Sequence, residues 1–293
     1  MTSLQTHEYE ILRILRTFYD VQKLRVATEL RVKQTKFSLC PNKHLIPMAS
    51  ERDKCPICGA PIQVVEIEPP KVLVDVLAKL STIEKDLYKE LERAVEGHPL
   101  YLQYLQYVRG VGAATAAYLI TVLNPARFET VSKMWKYCGL HVENGKAPHR
   151  TPEQPTGWNP VARTMMWRLG ENFRRQGGFY KMMYYKFLEE STRKHPDWTK
   201  AHHIAHARRV TVKLFLAHWH MVGRVLQGLS VRKPYICEKQ PHQCIPPILD
   251  TDNPAVIQSF YDLVIKPLGW WSEREYYDWV SMVKMFNEQQ KQK

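Results

Sequence analysis

Between residues 7 and 36 the chain carries no proline or glycine, and Ile11, Ile14, Phe18 and Val21 recur at spacings of three and four. That period predicts a long amphipathic helix. Lys71 to Glu96 repeats the behaviour: Leu73, Leu77, Leu80, Leu87, Leu91 and Ala94 follow an a/d pattern broken only at Glu84, and Gly97 is placed to cap the helix end. Two such helices around a short insert predict an antiparallel helical hairpin or a dimerising coiled coil. The second alternative would make the protein a homodimer through its long helices.

From Leu100 to Gly228 the pattern is helical with brief breaks. Helices are expected over Leu100 to Val108 and Ala113 to Leu123, the second stopped by Asn124 and Pro125. Thr130 is a cap for Val131 to Cys138, which ends at Gly139. Leu140 to Trp158 has no useful periodicity and reads as a long loop, a feature that is usually functional or disordered. Asn159 and Pro160 then open a helix to about Arg175, with Val161, Met165, Leu169 and Phe173 on its apolar face. Helices over Phe179 to Arg193 and Thr199 to Gln227 follow, and the tail reads as a linker and a terminal helix capped by Ser272.

The expected fold is mainly α: a helical bundle with a helix-hairpin-helix and a long helical pair carrying a small zinc ribbon. Its parts are an N-terminal amphipathic helix (1–36), the ribbon (37–70), the second long helix (71–97), a basic helical domain (98–232), and a linker with a C-terminal helix (233–293). The ribbon rests on Cys40 and His44, then Cys55 and Cys58 in "CPICG". Each pair places two ligand atoms on one turn, and two pairs close a tetrahedral shell around one structural Zn²⁺. Four protein ligands leave no open position for water, so the site is assigned folding rather than catalysis. Cys237, His242 and Cys244 offer three ligands in a proline-rich stretch, a weaker set for a second metal.

Charge changes the picture. The formal net charge is +13, and it is not spread evenly: His98 to Arg232 holds 20 Lys/Arg against 7 Asp/Glu, while the remaining 22 and 22 cancel. A local excess of this size points to a polyanion partner, nucleic acid above all. A solubilising surface charge is the plainer alternative. Hydrophobic residues at 44% and charged residues at 24% are ordinary for a soluble globular protein, and no apolar run reaches a membrane span. With acidic residues at the N-terminus and no small-residue cleavage site, the expected location is cytoplasmic, with no membrane partner.

Three constellations lie in the basic segment. Gly110-Val111-Gly112 between two helices has the form of a hairpin whose amides hold a phosphate without reading sequence, although the same turn also joins tightly packed helices. "WRLGENFRRQGGFYKMMYYK" interleaves Arg168, Arg174, Arg175, Lys181 and Lys186 with aromatics, of which Tyr184 or Tyr185 is placed to stack on a base while most others are core. In "KAHHIAHARRVTVKLFLAHWH", His202 and His206 stand one turn apart without a third metal ligand, which reads as a solvated helix face. The candidate nucleic-acid surface is Gly110, Val111 and Gly112 with Arg127, Lys133, Lys136, Arg150, Arg163, Arg168, Arg174, Arg175, Lys181, Arg208 and Arg209.

The order "YVRGVGAATAAYLITVLNPARFETVSKMWKYCGL", a loop, "NPVARTMMWRLGENF" and "HARRVTVKLFLAHWHMVGRVL" resembles the C-terminal domain of DEDD transposases, insertion-sequence enzymes guided by a bridge RNA. The matching positions are Gly110 and Gly112, Arg127 and Phe128, Gly139 and Leu140, Arg163 or Arg168, and Ala207 with Arg208 and Arg209. The resemblance covers residues 100 to 229, under half the chain; the expected partner is nucleic acid, DNA more than RNA, though the sequence does not separate the two. Two departures bear on activity. The family's RuvC-like domain, whose acidic residues hold metal ions, has no room before the first helix and ribbon. The family's loop serine is missing too, since Leu140 to Met166 contains only Thr151, Thr156 and Thr164 as hydroxyl side chains. The expected function is therefore non-catalytic nucleic-acid binding by a protein built from transposase parts, a mobile-element or recombination-related role. The alternatives are a strand transferase or nuclease using a threonine or a separate catalytic subunit, and a protein-binding scaffold.

Overall fold

The computed structural model describes residues 3–44, 46, 53–143, 145, 147–149, 155–234 and 244–292. It is mainly helical, with a single pair of strands among the described residues. The chain divides into two compact units, one of Met1–Leu12 with Arg93–Lys293 and the other of Arg13–Glu92.

The smaller unit is built from most of the long helices α1 (Ser3–Lys33) and α2 (Lys71–Glu96), whose far ends belong to the larger unit, and from strands β1 (Lys36–Leu39) and β2 (Gln63–Glu66). The helices run antiparallel within one chain: Phe18 meets Tyr88 with ring centroids 5.8 Å apart, and Gln22 Nε2 donates to Glu84 Oε1 at 2.9 Å. The polar break in the α2 repeat is thereby explained. Glu84 accepts from Gln22 and from Arg25 Nε, so the seam is closed there by an ion pair instead of by apolar contact. The strands pair antiparallel, Lys36 opposite Glu66 and Leu39 opposite Gln63.

In the larger unit the first expected helix is shorter than its pattern. α3 (Pro99–Gln103) stops at Tyr104, whose φ of −144° and ψ of −62° leave the helical region, and a 3₁₀ turn (Leu105–Tyr107) follows. Tyr104 is fully buried, and its hydroxyl lies 2.9 Å from that of Tyr180. The core connection, not the local period, sets the break. α4 (Ala113–Thr121), a 3₁₀ turn (Pro125–Arg127) and α5 (Val131–Tyr137) come next. Asn124 caps that 3₁₀ turn, accepting from Ala126 N, so the Asn-Pro pair that stops α4 also starts the next turn.

α6 (Pro160–Gln176), α7 (Phe179–Lys194) and α8 (Lys200–Leu226) pack on one another, and α5 packs on α8. Asn159 and Thr199 cap α6 and α8 through their side chains. Phe173, Tyr180, Phe215 and Trp219 fill the core between them, each essentially unexposed. At the α6–α8 crossing, a Cβ on Gly170 would lie 2.4 Å from Arg208 Cγ, so only glycine lets the arginine cross α6 there.

The tail holds more structure than a linker. Asn253 and Pro254 open α9 (Pro254–Phe260), which passes through a π turn (Tyr261–Ile265) into α10 (Lys266–Leu268), and α11 (Glu273–Lys291) starts in a capping box of Ser272 and Glu275. The tail is anchored by His218, whose Nε2 donates to Ile245 O at 2.9 Å. None of the described helices is long and apolar enough to cross a membrane.

Candidate functional site

Cys40, His44, Cys55 and Cys58 converge in the smaller unit, their ligand atoms all within 4.8 Å of one another. Local turns build the site. Lys43 N donates to Cys40 O, with Lys43 at φ 58°, and Cys55 exchanges backbone bonds with Gly59 and Ala60. Sγ of Cys40 lies 3.6 Å from His44 Nδ1 and 3.5 Å from Cys58 Sγ, and Cys55 Sγ lies 3.5 Å from the same His44 nitrogen. With metal–sulfur bonds of about 2.3 Å, a tetrahedral shell has edges of about 3.5–3.8 Å. These three edges fit such a shell.

None of the three cysteine ligands is in a disulfide. The Cys58 thiol is lowered to about 6, first by the Ala60 amide and then by Asn42, whose Nδ2 lies 3.3 Å from the sulfur. A thiolate held this way is already prepared as a ligand. The group can hold a metal ion. Of the second, weaker set, Cys244 is disulfide-bonded and so offers no thiolate, and Cys237 and His242 lie outside the described residues.

The basic segment lies in the larger unit. Its hairpin is partly spent on internal contacts: Arg109 N donates to Asp250 Oδ2 at 2.9 Å, Val111 N to Val108 O at 3.1 Å, and Gly110 O accepts from Asn172 Nδ2 at 3.2 Å. Gly110 has φ +96°, and a Cβ there would press on Phe173 at 3.1 Å. The turn therefore joins packed elements, whatever else its amides hold. Gly112 at the start of α4 stays exposed.

The candidate cations divide. Arg127 Nη1 donates to the Thr121 and Val122 carbonyls, closing the end of α4, and Lys133 pairs with Glu129 at 2.5 Å. Arg174 and Arg208 share Glu171, at 2.9 and 2.7 Å, while Arg175 reaches it only at 3.9 Å. Lys136 and Arg168 are exposed, Lys181 is half-buried, and Arg150, like Thr151, lies outside the described residues. The structure corrects the stacking expectation for Tyr184, which is buried in the core, whereas Tyr185 remains 45% exposed. Thr156 Oγ1 is turned to its own loop and donates to Trp158 O at 3.0 Å.

Three of the predicted arginines do come together. Arg163, Arg208 and Arg209 line a cavity of about 530 Å³ with Trp167, His202 and His206. The long loop shapes one wall, because its ends are tied by Asn159 N donating to Tyr137 O and its Pro148 carbonyl accepts from Arg163 Nη1 at 2.7 Å. The histidine run is not a uniformly solvated face. His203 is buried and bonds Ser191, His206 is half-buried, and His202 stacks on Trp198 at 3.9 Å.

No protein-family model matches the chain, and no curated protein or solved structure matches it either.

Proposed function

We propose that the basic helical segment binds nucleic acid, DNA in preference to RNA, without cutting it, and that the Cys₃His group holds one structural Zn²⁺. The observation that carries the first part is the placement of charge. The entire positive excess of 20 Lys/Arg over 7 Asp/Glu falls between His98 and Arg232, within one compact unit. Glu171 and Glu129 offset only a few of these cations, and Lys136, Arg168 and Arg175 face solvent. Such a surface attracts a phosphate backbone by counterion release.

The resemblance to transposase C-terminal domains supports DNA over RNA, and the engaged Thr156 hydroxyl supports binding over strand transfer. Zinc is favoured for the metal by its ligand type, since three sulfurs and one imidazole at tetrahedral spacing suit it better than harder cations.

The test is a titration of duplex DNA, branched DNA and structured RNA at several salt concentrations, with the strands inspected afterwards in the presence of Mg²⁺. The expected result is binding to intact DNA whose logarithm falls with log salt by about 0.9 per neutralised phosphate, weakened by Gly112→Asp. Binding that ignores salt, or none, would remove the reading, and cleaved strands would replace it with an enzyme.

A further inference from the structure

We propose that the cavity between α6, α8 and the long loop is a phosphate subsite that takes one nucleotide, held by Arg209, Arg163 and His206. The proposal deepens the nucleic-acid reading and rests on it for the source of the phosphate.

Charge comes first. Three guanidinium groups line the cavity, and none of its described lining residues is a carboxylate. Glu171 neutralises one of the three, Arg208, from the side. Arg163 is held in place by the Pro148 carbonyl and by Trp158, over whose ring its Cζ lies at 5.0 Å, and neither partner carries charge. Arg209 has no anionic partner among the described residues. Among the described residues the cavity therefore holds two positive charges with no anionic partner.

Burial comes second. Arg209 Nη1 and His206 Nδ1 are both buried without a hydrogen-bond partner. Neither atom has accessible surface, so contact with a ligand in the cavity falls to the other nitrogens of the two side chains, and the unsatisfied atoms mark how far both groups are withdrawn from water. Loss of solvent lowers the pKa of both groups, and Lys213, one turn beyond Arg209, is lowered for the same reason. An anion in the cavity supplies the counter-charge that this desolvation lacks.

Size and wall chemistry then select the anion. A space of about 530 Å³ is far larger than one phosphate and falls in the range of organic-ligand sites. Its walls include Trp167, 53% exposed, with Arg208 Cζ over its ring at 4.8 Å, while the ring of Trp198 is already stacked with His195 and His202 and so is not free for a base. The exposed Trp167 ring beside guanidinium groups fits a base and sugar carrying a phosphate, and three phosphate oxygens can engage more donors than a carboxylate's two. The two helices that carry Arg163 and Arg209 pack closely at the Gly170–Arg208 crossing.

The test uses the full chain. Thymidine 5′-monophosphate, thymidine and inorganic phosphate are titrated calorimetrically at low salt, against wild type, Arg209→Gln and Arg163→Gln, with duplex binding measured in parallel. The expected result is binding of the monophosphate and not of thymidine, weakened about tenfold or more by either substitution, with each variant retaining the wild-type melting profile. If Arg209→Gln does not fold, Arg163→Gln alone carries the comparison.

Strands with and without a 5′-phosphate then compete for the cavity. Equal competition identifies an internal phosphodiester as the occupant, and competition only by the phosphorylated strand identifies a terminal phosphate. Either supports the subsite. Salt-dependent duplex binding that both variants leave unchanged, with no monophosphate binding, overturns the subsite and leaves the nucleic-acid reading standing. Monophosphate binding without polymer binding keeps the subsite and removes that reading.

Discussion

Tyr180 passes a hydrogen bond from Tyr104 to His218 in one direction only. His218 Nε2 faces the Ile245 carbonyl at 2.9 Å and must donate, so Nδ1 accepts from the Tyr180 hydroxyl, which in turn accepts from Tyr104. Burial drives His218 down to about 4, keeping it neutral in this relay. Tyr180→Phe leaves Tyr104 without an acceptor and His218 without a donor, and should cost about 2–4 kcal/mol. Tyr104→Phe removes only the first donor and should cost about 1 kcal/mol. Denaturant melts of both variants check the order, and equal losses would mean that the relay is not directional.

In the long helical pair, Glu84 stands where the repeat calls for an apolar residue and accepts from Arg25 and Gln22. Glu84→Ala opens the seam and strands a partly buried guanidinium, for a loss of about 1–3 kcal/mol. Glu84→Leu restores apolar contact, and Arg25 keeps its pair with Glu29 at 2.7 Å. The leucine variant should therefore melt above the alanine variant.

Metal removal has a defined stoichiometry. A chelator should release one ion per chain and expose three thiols, those of Cys40, Cys55 and Cys58, to a thiol reagent. Cys138 should stay silent in the folded protein, because burial pushes its thiol up to about 12. Cys55→Ser should lose the ion. A thiol count that metal does not change would remove the site.

Asp250 gives a pH dependence of unusual sign. Its carboxylate accepts from Arg109 N and from Phe179 N, at 2.9 and 2.6 Å, yet burial outweighs both bonds and raises the group from 3.8 to about 6. A raised acid favours the folded state when protonated. Its contribution is thus present in full below 3.8 and is lost as pH rises through about 6, by no more than about 3 kcal/mol. Wild type should lose stability on going from pH 4 to pH 7 relative to Asp250→Asn, which cannot ionise. Melting curves of the two proteins across that range test it.

What the sequence determined by itself is local. Helix periods placed α2 and α6 to within a residue or so, and Thr130, Asn159, Thr199 and Ser272 cap the helices that their side chains can reach two or three residues on. The metal ligands were legible for the same reason, since each pair closes within one turn and only the short stretch between them had to fold back. α9 was missed although Asn253-Pro254 repeats the Asn159-Pro160 signal, because the proline-rich stretch before it reads as linker. Only the tertiary structure decided which cations are spent and which are not. Glu171 reaches Arg208 across 37 residues, Asp250 reaches Arg109 across 141, and Tyr184 turns inward while its neighbour Tyr185 does not. Such pairings depend on where helices cross, which no period along the chain encodes. The cavity is of this kind, for Arg163 and Arg209 share it only because α6 and α8 cross beside a loop whose two ends meet at Tyr137 and Asn159.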